Sequence, residues 1–290
     1  MRKKKYITFL IIIFVFFFTY FISYKITINQ LPDNILYFLI YKYQDSKKIN
    51  NIDMVSIILN EVNVNKSFIN DKKEVKKEIV YNEQLPIVYI YNTHSDEEYS
   101  YEKNNSYNII PTVKEANYIL ESELKKLGIL SVIEKNQTTK IVNERNLPYS
   151  SSYKVSRELL ENKKIEYPSL TFFIDLHRDS VERSITTVEI NGKTYAKTMF
   201  LLGLENPSYE ENKQVMTSLN NYLDTNYKGL SRGIYEKKGK GVNGVYNQDF
   251  NKNTMLIEVG GVDNTIEEVS NSLKVIAECL YEYINSTKIE

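Results

Sequence analysis

Tryptophan is absent from this sequence of 290 residues, cysteine occurs once, histidine occurs twice, and neither sign of charge is in excess. Each scarcity excludes something. The single cysteine, Cys279, rules out an intramolecular disulfide and any CxxC zinc knuckle. It falls in an apolar helical pattern and reads as a small core residue. With 37 basic against 37 acidic residues there is no basic surplus to drive counterion release, so the chain is not a general binder of nucleic acid. Histidine chemistry, if there is any, has only His94 and His177 to work with.

What is present is ordinary for a globular protein: 42% apolar and 26% charged residues, enough for a sizeable core in one large domain or two small ones. The N-terminus is the exception. "MRKKKY" is followed by "ITFLIIIFVFFFTYFISYK", with no charge between Lys5 and Lys25. As a helix this run would extend about 28 Å, close to the thickness of a bilayer core. A cleaved signal peptide would have a shorter apolar region and a small-residue cleavage site, whereas this run ends in Tyr24, Lys25 and Ile26. The sequence therefore predicts a retained anchor over residues 1–25. The positive charges before it put Met1 in the cytoplasm and the remainder outside, as a single-pass protein of the cell membrane with an extracytoplasmic domain. Residues 26–84 read as a juxtamembrane helix ("NILYFLIYKYQDSKK") and a charge-rich linker, and residues 85–290 as the folded domain.

From Leu85 onward strand and helix patterns alternate. Strands are expected at 87–91, 129–133, 170–176 and 254–259, and helices at 113–127, 151–162, 209–227 and 266–284. Thr112 and Glu115 form a capping-box pattern ahead of the first of these helices, and Gly128 stops it. "NG" at 191–192 lies between two strand-like arms, 186–190 and 194–200, the second continuing as "TMFLLGL". The expected fold is α/β: a mostly parallel central sheet flanked by helices on both faces. In such a sheet the ligand site lies beyond the carboxyl ends of the strands.

Three segments are apolar until they end in chemistry: "IVYIYNTH", "LTFFIDLH" and "NTMLIEVGG". They finish at His94, His177 and Glu258. If the three strands are parallel neighbours, two imidazoles and a carboxylate converge at one edge of the sheet. That donor set suits zinc, which takes three protein ligands in a catalytic site and leaves a fourth position open. A second carboxylate is needed to carry the proton. On spacing alone Glu97, Glu98 and Glu115 remain open as further partners. Arg178 and Asp175 are candidates to touch substrate or to orient the ligands. Ser95 and Ser180 lie close to histidines, but no nucleophile elbow accompanies them.

"YNTHSDEEY", "FFIDLHRDS", "FLLGLENPSYEENK", "GLSRGIY", "YNQDFN" and "LIEVGGVDNTIEEV" resemble, in order and across about residues 85–290, the stage II sporulation protein P family. More distantly, "EANYIL", "IDLHRDS" and "LIEVGGVDN" are similar to motifs of zinc-dependent N-acetylmuramoyl-L-alanine amidases. The resemblance implies a peptidoglycan hydrolase that cuts the amide between N-acetylmuramic acid and the stem peptide, with peptide cross-links as a second target. It implies zinc held by His94, Glu115 and His177, and Glu258 as the catalytic acid/base. It also implies work in engulfment beside other sporulation cell-wall proteins, stage II sporulation proteins D and M among them. The polar turn "NTHSDEEY" departs from the Gly-rich turn of the amidases and keeps Glu97 open as a ligand. A non-catalytic envelope scaffold or peptidoglycan-binding protein is the alternative, one that would be expected to have lost a histidine or Glu258.

Overall fold

The computed structural model describes residues 85–100 and 110–287, all within the unit Asn82–Glu290. The expected anchor, juxtamembrane helix and linker lie outside the described residues. The membrane placement needs correction: among the described residues no helix is long and apolar enough to cross a bilayer. The longest helix, Ile266–Thr287, has the length for it. Its sequence, however, carries Glu267, Glu268, Lys274, Glu278 and Glu282, so it is an amphipathic helix with one face on the core.

The strands are β1 (Val88–Tyr91), β2 (Ser131–Ile133), β3 (Phe172–Asp179), β4 (Thr187–Ile190), β5 (Lys193–Ala196), β6 (Thr198–Gly203), β7 (Ser231–Lys237) and β8 (Thr254–Gly261). The helices are α1 (Val113–Lys126), α2 (Thr138–Glu144), α3 (Ser152–Glu166), the short α4 (Arg183–Thr186), α5 (Tyr209–Asn226) and α6 (Ile266–Thr287). Six strands form one sheet in the order β2-β1-β3-β8-β6-β7. Every pairing is parallel except that of β6 with β8. The expected neighbours β1, β3 and β8 do lie side by side. The sheet as a whole is mixed, because β6 enters from the opposite direction.

Local signals account for much of this. Thr112 and Glu115 make the capping box at the start of α1, and Gly128 just past its end has φ +79°, a conformation open to glycine. Asn191 and Gly192, both at positive φ, turn the β4–β5 hairpin. β3 runs further than expected: His177, Arg178 and Asp179 belong to the strand itself and do not follow it.

Side chains alternate across the sheet with period two. Val88, Ile90, Phe172, Ile174, Leu176, Met255, Ile257 and Val259 point to one face, where they pack with Leu120, Leu124, Leu219, Leu273 and Ile276 of α1, α5 and α6. Tyr89, Tyr91 and Phe173 point to the other, against Leu160 of α3, and Leu201 and Leu256 meet Tyr246 there. The same alternation puts Asp175, His177 and Glu258 on this second face.

Candidate active site

β3 and β8 are in register at His177 and Glu258, which therefore stand as direct cross-strand neighbours. The chain leaving β1 forms a tight turn through residues 92–97, and buried hydrogen bonds hold it against β3 and α1. Asn92 donates to the Leu176 carbonyl at 2.7 Å and exchanges side-chain bonds with Asn117 of α1 at 3.1 and 2.6 Å. The backbone N–H of Thr93 donates to Asp175 Oδ1 at 2.8 Å, and its hydroxyl donates to Oδ2 at 2.6 Å. Asp175 is thus fully buried and structural in contact, locking the turn that carries His94.

His94 and His177 meet edge to face, with ring centroids 5.3 Å apart and planes at 83°. Tyr149 stacks on His94 at 4.6 Å and 10°, and Tyr153 meets its edge at 5.6 Å. His94 Nδ1 and Glu258 Oε2 are buried without a hydrogen-bond partner. Such groups are costly to bury unless something else is meant to meet them.

His177 sits between two carboxylates. Both oxygens of Glu97 are 3.4 Å from its Nδ1, and Asp175 Oδ1 is 3.0 Å from its Nε2, though out of line for a hydrogen bond. Burial pushes the imidazole pKa down, but the two carboxylates outweigh it and hold it well above its ordinary value. His94 goes the other way: burial, then the neighbouring His177, lower its pKa and keep the ring neutral. Burial drives Glu97 up, but His177 and the Arg178 backbone N–H, 3.0 Å from Oε2, bring it below the usual carboxylate value. Burial raises Glu258 to about 7, against the pull of His177 and with reinforcement from Glu97 and Asp179.

The other candidates are placed as follows. Glu115 Oε2 accepts from the N–H and hydroxyl of Thr112, both at 2.6 Å, so this carboxylate caps α1. Arg178 turns its guanidinium to the Glu98 carbonyl at 2.9 Å and so braces the 94–98 turn. Ser95 bonds to Thr139, and the Ser180 backbone is held by Asp179; neither hydroxyl is hydrogen-bonded to a histidine. Among the described residues no three histidine, cysteine, aspartate or glutamate side chains come together as a group that could hold a metal ion. The fit can still be tested on distances. Donors held at about 2.1 Å around a tetrahedral zinc lie about 3.4 Å from one another, which is the observed separation of His177 Nδ1 from Glu97.

Sequence reasoning did not single out three features of the site. Tyr149 and Tyr153 wall His94, and no periodicity marks them. Arg232 of β7 bonds Asp179 at 2.8 Å. Tyr246 and Asn247 have φ of 56° and 57°, uncommon for residues other than glycine. Asn247 is fixed there by bonds to the Tyr153 carbonyl and to Ser156, whose hydroxyl lies 2.8 Å from that of Thr93 and can donate to it. A buried relay therefore ties this loop to the His94 turn.

A family model described as Stage II sporulation protein P (SpoIIP) matches residues 34–281. Stage II sporulation protein P of Bacillus subtilis (strain 168) is 33% identical over 210 residues, which cover 70% of this chain and 52% of that protein. The chain thus spans about half the length of that relative. Among solved structures, the CwlD amidase from Clostridioides difficile in complex with the GerS lipoprotein is similar at a TM-score of 0.45 and 14% identity, covering 70% of this chain and 100% of that one. The N-acetylmuramoyl-L-alanine amidase AmiC2 of Nostoc punctiforme is similar at 0.40 and 10% identity, covering 71% and 98%. A metallo-carboxypeptidase from Burkholderia cenocepacia is similar at 0.42 and 10% identity, covering 73% and 60%. Likenesses this loose say nothing of chemistry.

Proposed function

The chain belongs to the stage II sporulation protein P family, and from that premise we propose that it is a zinc-dependent hydrolase of peptidoglycan. Its target is the amide between N-acetylmuramic acid and the stem peptide. The observation that carries the reading is the placement of the chain's only two histidines edge to face, 5.3 Å apart, beside a buried glutamate of pKa about 7. The family resemblance extends the reading to engulfment, to a second activity on peptide cross-links, and to stage II sporulation proteins D and M as partners.

His94 and His177 would hold the metal through Nδ1. The Asp175 carboxylate, 3.0 Å from Nε2 of His177, favours the proton on that nitrogen by its charge and leaves Nδ1 as the donor. The third ligand expected from the resemblance was Glu115. Its capping bonds and the 3.4 Å approach of Glu97 to His177 favour Glu97 in that role, with Glu115 holding the end of α1. Held there, zinc would supply a Lewis acid and a water made nucleophilic near neutral pH. Glu258 accepts a proton as carboxylate and returns it as acid to the leaving nitrogen. A pKa of about 7 suits both halves of that cycle.

The test is product analysis. The full chain, incubated with purified peptidoglycan, should release stem peptides with a free alanine amine, read by mass spectrometry. Reducing ends of sugar appearing in their place would mean a glycosidase and end the amidase reading.

A further inference from the structure

Tyr149 opens the turn Tyr149–Ser151 ahead of α3 and is 66% exposed. One face of its ring is spent on His94, at 4.6 Å and 10°. The other ring edges around His94 belong to Tyr153 and His177. Tyr91 and Tyr246 are buried and Tyr153 is half-buried. The other exposed tyrosine among the described residues, Tyr235, has the ammonium of Lys237 5.5 Å from its ring centre. Tyr149 therefore presents a flat aromatic face to solvent at the rim of the site, and Leu147, two residues ahead of it, is 37% exposed. The stack on His94 fixes the orientation of that face, so little freedom is lost when a rigid ligand lies on it.

Building on the hydrolase reading, we propose that Tyr149 is a substrate-binding platform on which a sugar ring of the glycan strand stacks beside the scissile amide. A pyranose matches it: a rigid ring with a C–H face and no net charge. A sugar ring on the outer face would lie against Tyr149 on the side away from His94, with the Tyr149 ring between it and the imidazole.

The experiment uses the full chain carrying Glu258→Gln, so that binding is read without turnover. Co-sedimentation is measured with purified peptidoglycan sacculi and, separately, with glycan strands freed of stem peptides, alongside zinc content. Adding Tyr149→Ala should weaken binding to both about tenfold, Tyr149→Phe should change it less than twofold, and zinc content should hold. The platform is overturned if Tyr149→Ala binds as tightly as its parent. It is also overturned if binding weakens on sacculi alone, which would place a peptide on the ring, or if zinc is lost, which would make Tyr149 a positioning residue for His94. Failure of the hydrolase reading looks different: the unaltered chain would release no stem peptides from the same sacculi, whatever Tyr149→Ala does to sedimentation.

Discussion

The two faces of β1, β3 and β8 are built from the same strands and obey opposite rules. On one, Ile90, Ile174, Leu176, Ile257 and Val259 are buried among apolar neighbours from α1 and α6. On the other, one residue along, stand Asp175, His177 and Glu258, with the His94 turn above them. The first face is apolar throughout this stretch. The second leaves buried oxygen and nitrogen atoms without partners and sets carboxylates around an imidazole. A fold tolerates such groups where the remaining burial outweighs their cost, and the apolar face supplies it.

The difference can be broken from either side. The largest effect is expected from His177→Ala or His94→Ala: each leaves too few donors, so zinc should leave the protein and peptidoglycan hydrolysis should drop by about 10³-fold or more, the range for losing a metal-activated nucleophile together with electrostatic stabilisation. Metal analysis and turnover, measured together, check it; full zinc in both variants would remove the histidines from the site.

Next come two neighbours on opposite faces. Leu176→Ala should cost about 2–5 kcal/mol of stability through the cavity it leaves, while the folded fraction keeps its zinc. Asp175→Ala strands the Thr93 N–H and hydroxyl and frees the His94 turn, costing about 3 kcal/mol. It should lower zinc affinity as well. Urea unfolding with parallel zinc titration separates them; equal zinc affinity in both variants would erase the distinction between the faces.

The smallest effect lies away from both. Burial raises Glu121 of α1 to about 7, against the pull of Lys125 and Lys135. Its folded pKa exceeds the unfolded value, so the folded state holds the extra proton between pH about 4.5 and 7. The stability this gives is present below that window and lost as pH rises through 7. Glu121→Gln should therefore stabilise at pH 8, by about 1 kcal/mol after allowance for its partial exposure, and change little at pH 4. Thermal melts at the two pH values decide it.

Several parts of this arrangement were legible in the sequence for definite reasons. Apolar runs ending at His94, His177 and Glu258 mark strands that cross a core and leave it at a site, and Asn191-Gly192 and Thr112-x-x-Glu115 are local codes that need no tertiary context. Other parts were not. β7, "SRGIYEK", is an edge strand, mostly half-exposed, and lacks an apolar signature. α2 buries only Thr138 and Val142 in seven residues. The antiparallel entry of β6 is a matter of chain path, which periodicity does not encode. Glu97 and Glu115 both follow plausible spacings; what separates them is a 3.4 Å approach in one case and a pair of capping bonds in the other.

The central claim is a division of labour on the polar face: the imidazoles hold a metal and Glu258 moves the proton. Glu258→Gln keeps the side chain's shape and takes away its acidity. The account predicts that this variant retains about one zinc per chain, while peptidoglycan hydrolysis falls by roughly 10²–10⁴-fold, the usual share of general acid–base catalysis. Loss of the zinc, or hydrolysis near that of the unaltered chain, would contradict it.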